Sequence, residues 1–129
     1  MRTCITCLAV ALMTLTPPLQ AQNPLLQMAM REKLADAQGL LEGLVRGDFA
    51  RMDRAAERLG RITDAEIVSW HTTASPVYSE FAQQFLLSVD GLRTAAADRN
   101  LADVLLEYTT MVTVCTNCHS YVRDAVRAD

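Results

Sequence analysis

Apolar residues recur through most of this chain at intervals of three and four, and the breaks in that rhythm carry helix start and stop signals. Asn23-Pro24 places a capping side chain before a proline at the first helical position. The segment it opens runs to about Arg46 and stops at Gly47. Met30, Leu34, Ala37, Leu41 and Leu44 follow a 4-3-4-3 spacing there, which predicts an inward stripe on one helix face. Asp48 caps a second segment with Phe49, Met52, Ala56 and Leu59 on one side. Gly60 weakens its end, and Thr63-Asp64-Ala65-Glu66 has capping-box spacing, so a short extra helix is expected to reach Trp70. His71 to Ala74 reads as a connection. Ser75-Pro76 opens a third segment to about Asp98, with Phe81, Phe85, Ser88 and Leu92 on its face. Asn100 caps a fourth, to about Ala128, with Val104, Tyr108, Met111, Cys115, Cys118 and Val122 inward. No stretch alternates in the two-residue rhythm of a strand. The expected fold is all-α: an antiparallel up-down-up-down four-helix bundle, because short connections make successive helices antiparallel neighbours.

The first 21 residues read differently. Arg2 is followed by a nearly unbroken apolar run from Cys4 to Leu15, then Pro17-Pro18, and Leu19-Gln20-Ala21 offers a small residue for cleavage. This is the pattern of a cleaved signal peptide, residues 1–21, ahead of one domain, residues 22–129. Cys4 and Cys7 then belong to discarded sequence. Losing Arg2 takes the 12 basic residues to 11, against 15 acidic ones, a net charge of −4. Those charges are scattered over helix faces, so the chain lacks the clustered positive charge of a nucleic-acid binder. No apolar run of the mature chain reaches the roughly 20 residues of a bilayer span.

Chemistry concentrates in one motif. Cys115-Thr116-Asn117-Cys118-His119 is C-x-x-C-H, the spacing of covalent c-type haem attachment. Two thiols must add to two vinyl groups on one porphyrin edge, and a neighbouring imidazole must reach the iron. On a helix the cysteines stand at i and i+3, with the histidine at i+4 from the first, so all three project to one side. Rival readings fare worse. A redox-active C-x-x-C pair opens a helix after a strand, and this chain has no strand pattern. A structural zinc site needs four ligands, and the mature chain adds only the distant His71, while adjacent Cys118 and His119 strain a shared tetrahedron. A plain disulfide does not require His119. Haem attachment also agrees with export, since c-type haem is attached outside the cytoplasm.

A four-helix bundle with C-x-x-C-H near its C-terminus resembles the cytochrome c′ family, including its low-spin, six-coordinate relatives. The resemblance covers the whole mature chain, by architecture more than by residue identity. It implies a basic residue four positions after the ligating histidine, and Arg123 stands there. The family's usual tyrosine just before that arginine is replaced by Val122, with Tyr121 one position earlier. Met30-Arg31-Glu32-Lys33-Leu34, followed by Leu41-Glu42-Gly43-Leu44, is also similar to a subgroup of small exported bacterial haem proteins. The resemblance implies that Arg31 approaches a haem propionate, with a surface role its alternative. It further implies a possible homodimer.

The second axial position decides the function. Antiparallel helices set the start of the first beside the end of the fourth, which places Met30 and His119 at comparable depth. Met30 is therefore the candidate distal ligand. Met28 lies on another face, Met111 shares the proximal helix, Met52 reads as core, and His71 sits in a connection. Methionine opposite histidine stabilises reduced iron. The chain is then expected to be a periplasmic or otherwise exported single-electron carrier between redox partner proteins. The alternative is a five-coordinate haem protein that binds nitric oxide or carbon monoxide, with Met30 as core filling. No distal acid-base pair points to peroxidase chemistry, so the chain is not read as an enzyme.

Overall fold

The computed structural model describes the backbone of residues 24–70 and 76–128. The expected leader, residues 1–21, together with His71 and Ser75, lies outside the described residues. Four helices make up everything described: α1 (Pro24–Arg46), α2 (Phe49–Trp70), α3 (Pro76–Ala97) and α4 (Leu101–Ala128). No strand occurs among the described residues. None of these helices is long and apolar enough to cross a membrane.

The chain turns where its local chemistry directs. Gly47 takes φ +66°, a left-handed conformation that costs a Cβ-bearing residue about 1–2 kcal/mol. The Gly47 and Asp48 amides donate to the carbonyls of Leu44 and Gly43, closing α1. Asp48 then accepts the Arg51 amide at 3.0 Å and caps α2. The same device ends α3, with Arg99 at φ 55° in the left-handed position. Asn100 caps α4 by accepting the Asp103 amide, while its own side-chain amide donates to the Asp103 carboxylate at 2.6 Å.

Successive helices pack side by side in opposite directions. Gly39, Gly43 and Asp36 of α1 meet Ala55, Met52 and Arg58 of α2, so numbers fall on one helix as they rise on the other. Asp53 and Gly60 of α2 meet Arg93 and Val89 of α3 in the same reversed sense. Gly91 and Phe81 of α3 meet Glu107 and Tyr121 of α4. α1 also touches α4, but far less than it touches α2. The arrangement is consistent with a four-helix bundle. Leu40, Met52, Leu59, Leu92, Val104 and Met111 fill its axis, each almost wholly buried. Each side chain of that kind contributes roughly 1.5–3 kcal/mol relative to exposure.

Three sequence expectations need correction. α2 does not break at Gly60. It runs through to Trp70, and Thr63 is a buried mid-helix residue whose hydroxyl donates to the Leu59 carbonyl at 2.9 Å rather than capping a new helix. The buried face of α1 is Asp36, Leu40 and Gly43; of the expected stripe Ala37 and Leu44 pack against the core, while Leu34 and Leu41 are exposed. Gly43 is inside because α2 takes the space of its missing side chain: an added Cβ would stand 2.6 Å from Met52 Cγ. Asp36 is inside because Arg58 reaches its carboxylate through Nε at 2.7 Å and a second guanidinium nitrogen at 2.6 Å. Val122, expected inward on α4, is exposed. The stripes expected on α2 and α3 are in the core, with Phe49 and Phe81 at its edge.

Candidate haem-attachment site

The motif lies on the lower half of α4, away from the Leu101 end. Cys115 and Cys118 are half-buried, and His119 is exposed. The two cysteines are not joined by a disulfide. Cys115 packs against the core cluster next to Met111 and Val114. Burial pushes its thiol up from the ordinary range, the neighbouring Cys118 adds to that, and the Lys33 ammonium acts in the opposite sense. Burial also raises the Tyr108 phenol, helped by the adjacent Cys115. Among the described residues no three His, Cys, Asp or Glu side chains are grouped so as to hold a metal ion.

Met30 lies on α1, partly buried. Arg46 and Leu101 lie at the same end of the bundle, so depth can be counted from them. Met30 is about 24 Å below Arg46 and His119 about 27 Å below Leu101, at 1.5 Å per residue. Met52 and Met111 are core, and Met28 is mostly exposed. Arg31 is exposed. Arg123 is exposed too, and donates to the Ser120 hydroxyl at 2.9 Å. Neither arginine is brought against the cysteines.

The structure adds neighbours that no short-range pattern announces. Lys33 turns inward from α1 and sets its ammonium over the Phe85 ring of α3, 5.0 Å from the centroid, close enough to Cys115 to act on the thiol. Phe81 and Tyr121 stack at a tilt, ring centroids 6.1 Å apart, where α3 meets the motif. In the sequence Lys33 sits beside the Met30-Arg31 pair and reads as a surface charge. Only the rotation of α1 that buries Asp36 and Leu40 carries it inside. Open surface grooves elsewhere, such as that between Phe49, Asp53, Arg93 and Arg99, contain no residue of the motif.

No family model, curated protein or solved structure matches this chain.

The donor set fits a covalently held haem. Two thiols and an imidazole share one side of a helix, the first thiol rests on an apolar bed, and the facing helix stands off from them and carries a thioether at the same depth. Cys115 and Cys118 would hold the porphyrin covalently, and His119 and Met30 are the residues that would offer donors to its iron.

Proposed function

We propose that this protein is an exported c-type cytochrome of the four-helix-bundle type, with one haem on Cys115, Cys118 and His119, and that it carries single electrons between exported redox proteins. The observation that carries this reading is the C-x-x-C-H motif on α4, with Cys115 and Cys118 half-buried and His119 exposed beside them. The bound haem would supply a one-electron iron couple. Everything else falls to the chain. Cys115 and Cys118 fix the group so that it cannot leave between electron transfers. His119 donates an imidazole nitrogen to the metal. Met30 presents a soft sulfur that favours the reduced state and raises the potential. Phe85, Met111 and Val114 keep water from the inner side, which lowers the local dielectric and the reorganisation that each transfer requires.

The test is expression of the full chain with a c-type maturation system, followed by acid-acetone extraction. The polypeptide is expected to keep its chromophore, and the double variant Cys115→Ser, Cys118→Ser to lose it. A wild-type chain that comes out colourless refutes haem attachment. The ferric absorption spectrum then addresses the sixth ligand. A low-spin spectrum with a sulfur–iron charge-transfer band is expected, turning high-spin in Met30→Ala. A high-spin wild type would replace the carrier with the five-coordinate, gas-binding alternative.

A further inference from the structure

Lys33 is the one lysine among the 12 Lys and Arg residues of the chain, and the fold turns it inward. A lysine ordinarily lays its stem along a surface and leaves the ammonium in water. Here the Nζ sits over the face of the buried Phe85 ring, 5.0 Å from its centroid. Counted from the shared end of the bundle, Lys33 lies about 20 Å down α1, Phe85 about 18 Å down α3 and Cys115 about 21 Å down α4. Phe85 belongs to the apolar cluster on which Cys115 packs. The ring therefore carries the ammonium at the level of the first sulfur of the motif, and its charge reaches that sulfur from a different helix.

Two demands on that sulfur oppose each other. The form that bonds carbon is the anion, not the thiol. Met111 and Val114, both buried, make a bed that suits a finished thioether and penalises the anion. Lys33 is the charge acting on Cys115 that favours the anion, and Cys118 on the same helix opposes it. We infer that Lys33 is a positioning residue for haem attachment: its ammonium, seated on the Phe85 ring, holds the Cys115 sulfur ready as the anion and so completes one of the two thioether bonds. This role rests on the haem-attachment reading above. The Cys115 proton leaves to water, the sulfur bonds the inner carbon of a vinyl group, and the outer carbon takes up a proton. A thiol has then added across a double bond, with no oxidant or reductant consumed. The product sulfur is uncharged, so the cation favours the reacting form rather than the finished bond. An order follows. Lys33 stands on α1 and both cysteines on α4, and these two helices share few contacts. Cys118 bonds first, and Cys115 last, when α1 closes on α4 and brings the charge.

The first readout needs no haem. In the haem-free full chain, iodoacetamide labelling of Cys115 is followed across pH by peptide mass spectrometry. Lys33→Met keeps the stem and removes the charge, and Lys33→Gln does the same with a polar tip. Each is expected to slow labelling at neutral pH roughly 3- to 10-fold and to move the rise of the rate to higher pH. The plateau at high pH should stay where it is, whereas a change in access to the sulfur would move the plateau. Cys118 and Tyr108, the other titratable groups coupled to this thiol, are the same in every variant. Lys33→Arg keeps the charge and should recover at least half of the rate. Arg46→Met takes an equal charge from the far end of α1, about 20 Å away, and should leave the rate alone. After maturation the wild type should carry both thioethers, while Lys33→Met should accumulate chain that holds haem through Cys118 with Cys115 still open to labelling. A colourless wild type removes the haem reading and this role with it. With a coloured wild type, the role alone falls if Lys33→Met labels at Cys115 as fast as wild type, or if Lys33→Arg is as slow as Lys33→Met. It also falls if matured Lys33→Met carries both thioethers as completely as wild type.

Discussion

Gly39 and Gly43 test how closely α1 is held to α2, and Gly60 does the same for α2 against α3. In a helix interior, Gly→Ala gains about 0.5–1 kcal/mol when the methyl group has room. At Gly39 the new Cβ would sit 3.9 Å from the Ala55 Cβ, and at Gly60 it would sit 3.6 Å from the Val89 Cγ1, both ordinary contacts. At Gly43 it would stand 2.6 Å from Met52 Cγ, 3.3 Å from the Asp48 carbonyl oxygen and 3.4 Å from the Met52 amide nitrogen. Met52 is fully buried, and its Cγ lies near the backbone, so it cannot swing clear. Overpacking of this kind costs about 1–3 kcal/mol. Set against a propensity gain of about 1 kcal/mol, Gly43→Ala should come out about 0–2 kcal/mol less stable than wild type. Gly39→Ala and Gly60→Ala should each come out about 0.5–1 kcal/mol more stable. Thermal melts followed at the helical dichroism band would resolve the set, because 1 kcal/mol moves Tm by about 4 °C or more in a domain of this size. If Gly43→Ala melts at or above Gly39→Ala, the close α1–α2 approach is wrong, and with it the rotation of α1 that brings Lys33 inside.

Gly47→Ala meets no atom within 4 Å, so its cost is purely that of the left-handed backbone, about 1–2 kcal/mol, read by urea denaturation. Asp36→Asn removes the charge that Arg58 grips with two nitrogens. About 1–2 kcal/mol of stability should be lost, below the cost of breaking a fully buried pair because Arg58 is about half exposed, and Arg58→Met in the same background should add little further loss. In the haem-free chain, burial raises the Cys115 thiol and the Tyr108 phenol, so the folded state holds those protons more tightly than the unfolded one. Stability is then complete in the neutral range and falls as pH rises through the alkaline titrations of the two groups, visible as a declining denaturation midpoint that Cys115→Ser and Tyr108→Phe together should flatten. Lys33→Ala takes away the cation that favours the Cys115 thiolate and should slow alkylation of that thiol at neutral pH, whereas Arg31→Ala should leave the rate alone.

Helix ends were legible because capping is local chemistry. Gly47-Asp48, Pro76 and Asn100 mark three turns with nothing but neighbouring residues, and the observed bounds follow them closely. Gly60 misled because its propensity penalty of about 1 kcal/mol is small against the packing of Leu59 and Thr63 on either side. The face of α1 misled for a deeper reason. Its buried line includes an aspartate and a glycine, and neither looks apolar until Arg58 and Met52, on another helix, are known to be waiting for them. Leu34 and Leu41, which do look apolar, stand on the flank instead. The placing of Cys115, Cys118 and His119 on the fourth helix was legible because their spacing spans little more than one helix turn. Lys33 and Phe85 were not, since 52 positions separate them and only the bundle brings them together.

If the proposed haem is attached, the slack junction between α1 and α4 bears on how a rigid, flat molecule would get inside a protein this small. A bundle tight on all four sides would have to unfold to admit one. Here α2 and α3 are clamped to each other, α1 is fastened to α2 and α4 to α3, so the molecule resembles a book bound along its spine, with its first and last helices as the covers. Parting the covers disturbs few contacts, while Leu59 and Leu92 stay buried along the binding. The attachment cysteines ride on one cover and Met30 on the other. On the proposed reading, the haem would be stitched to an open leaf before the leaves close over it.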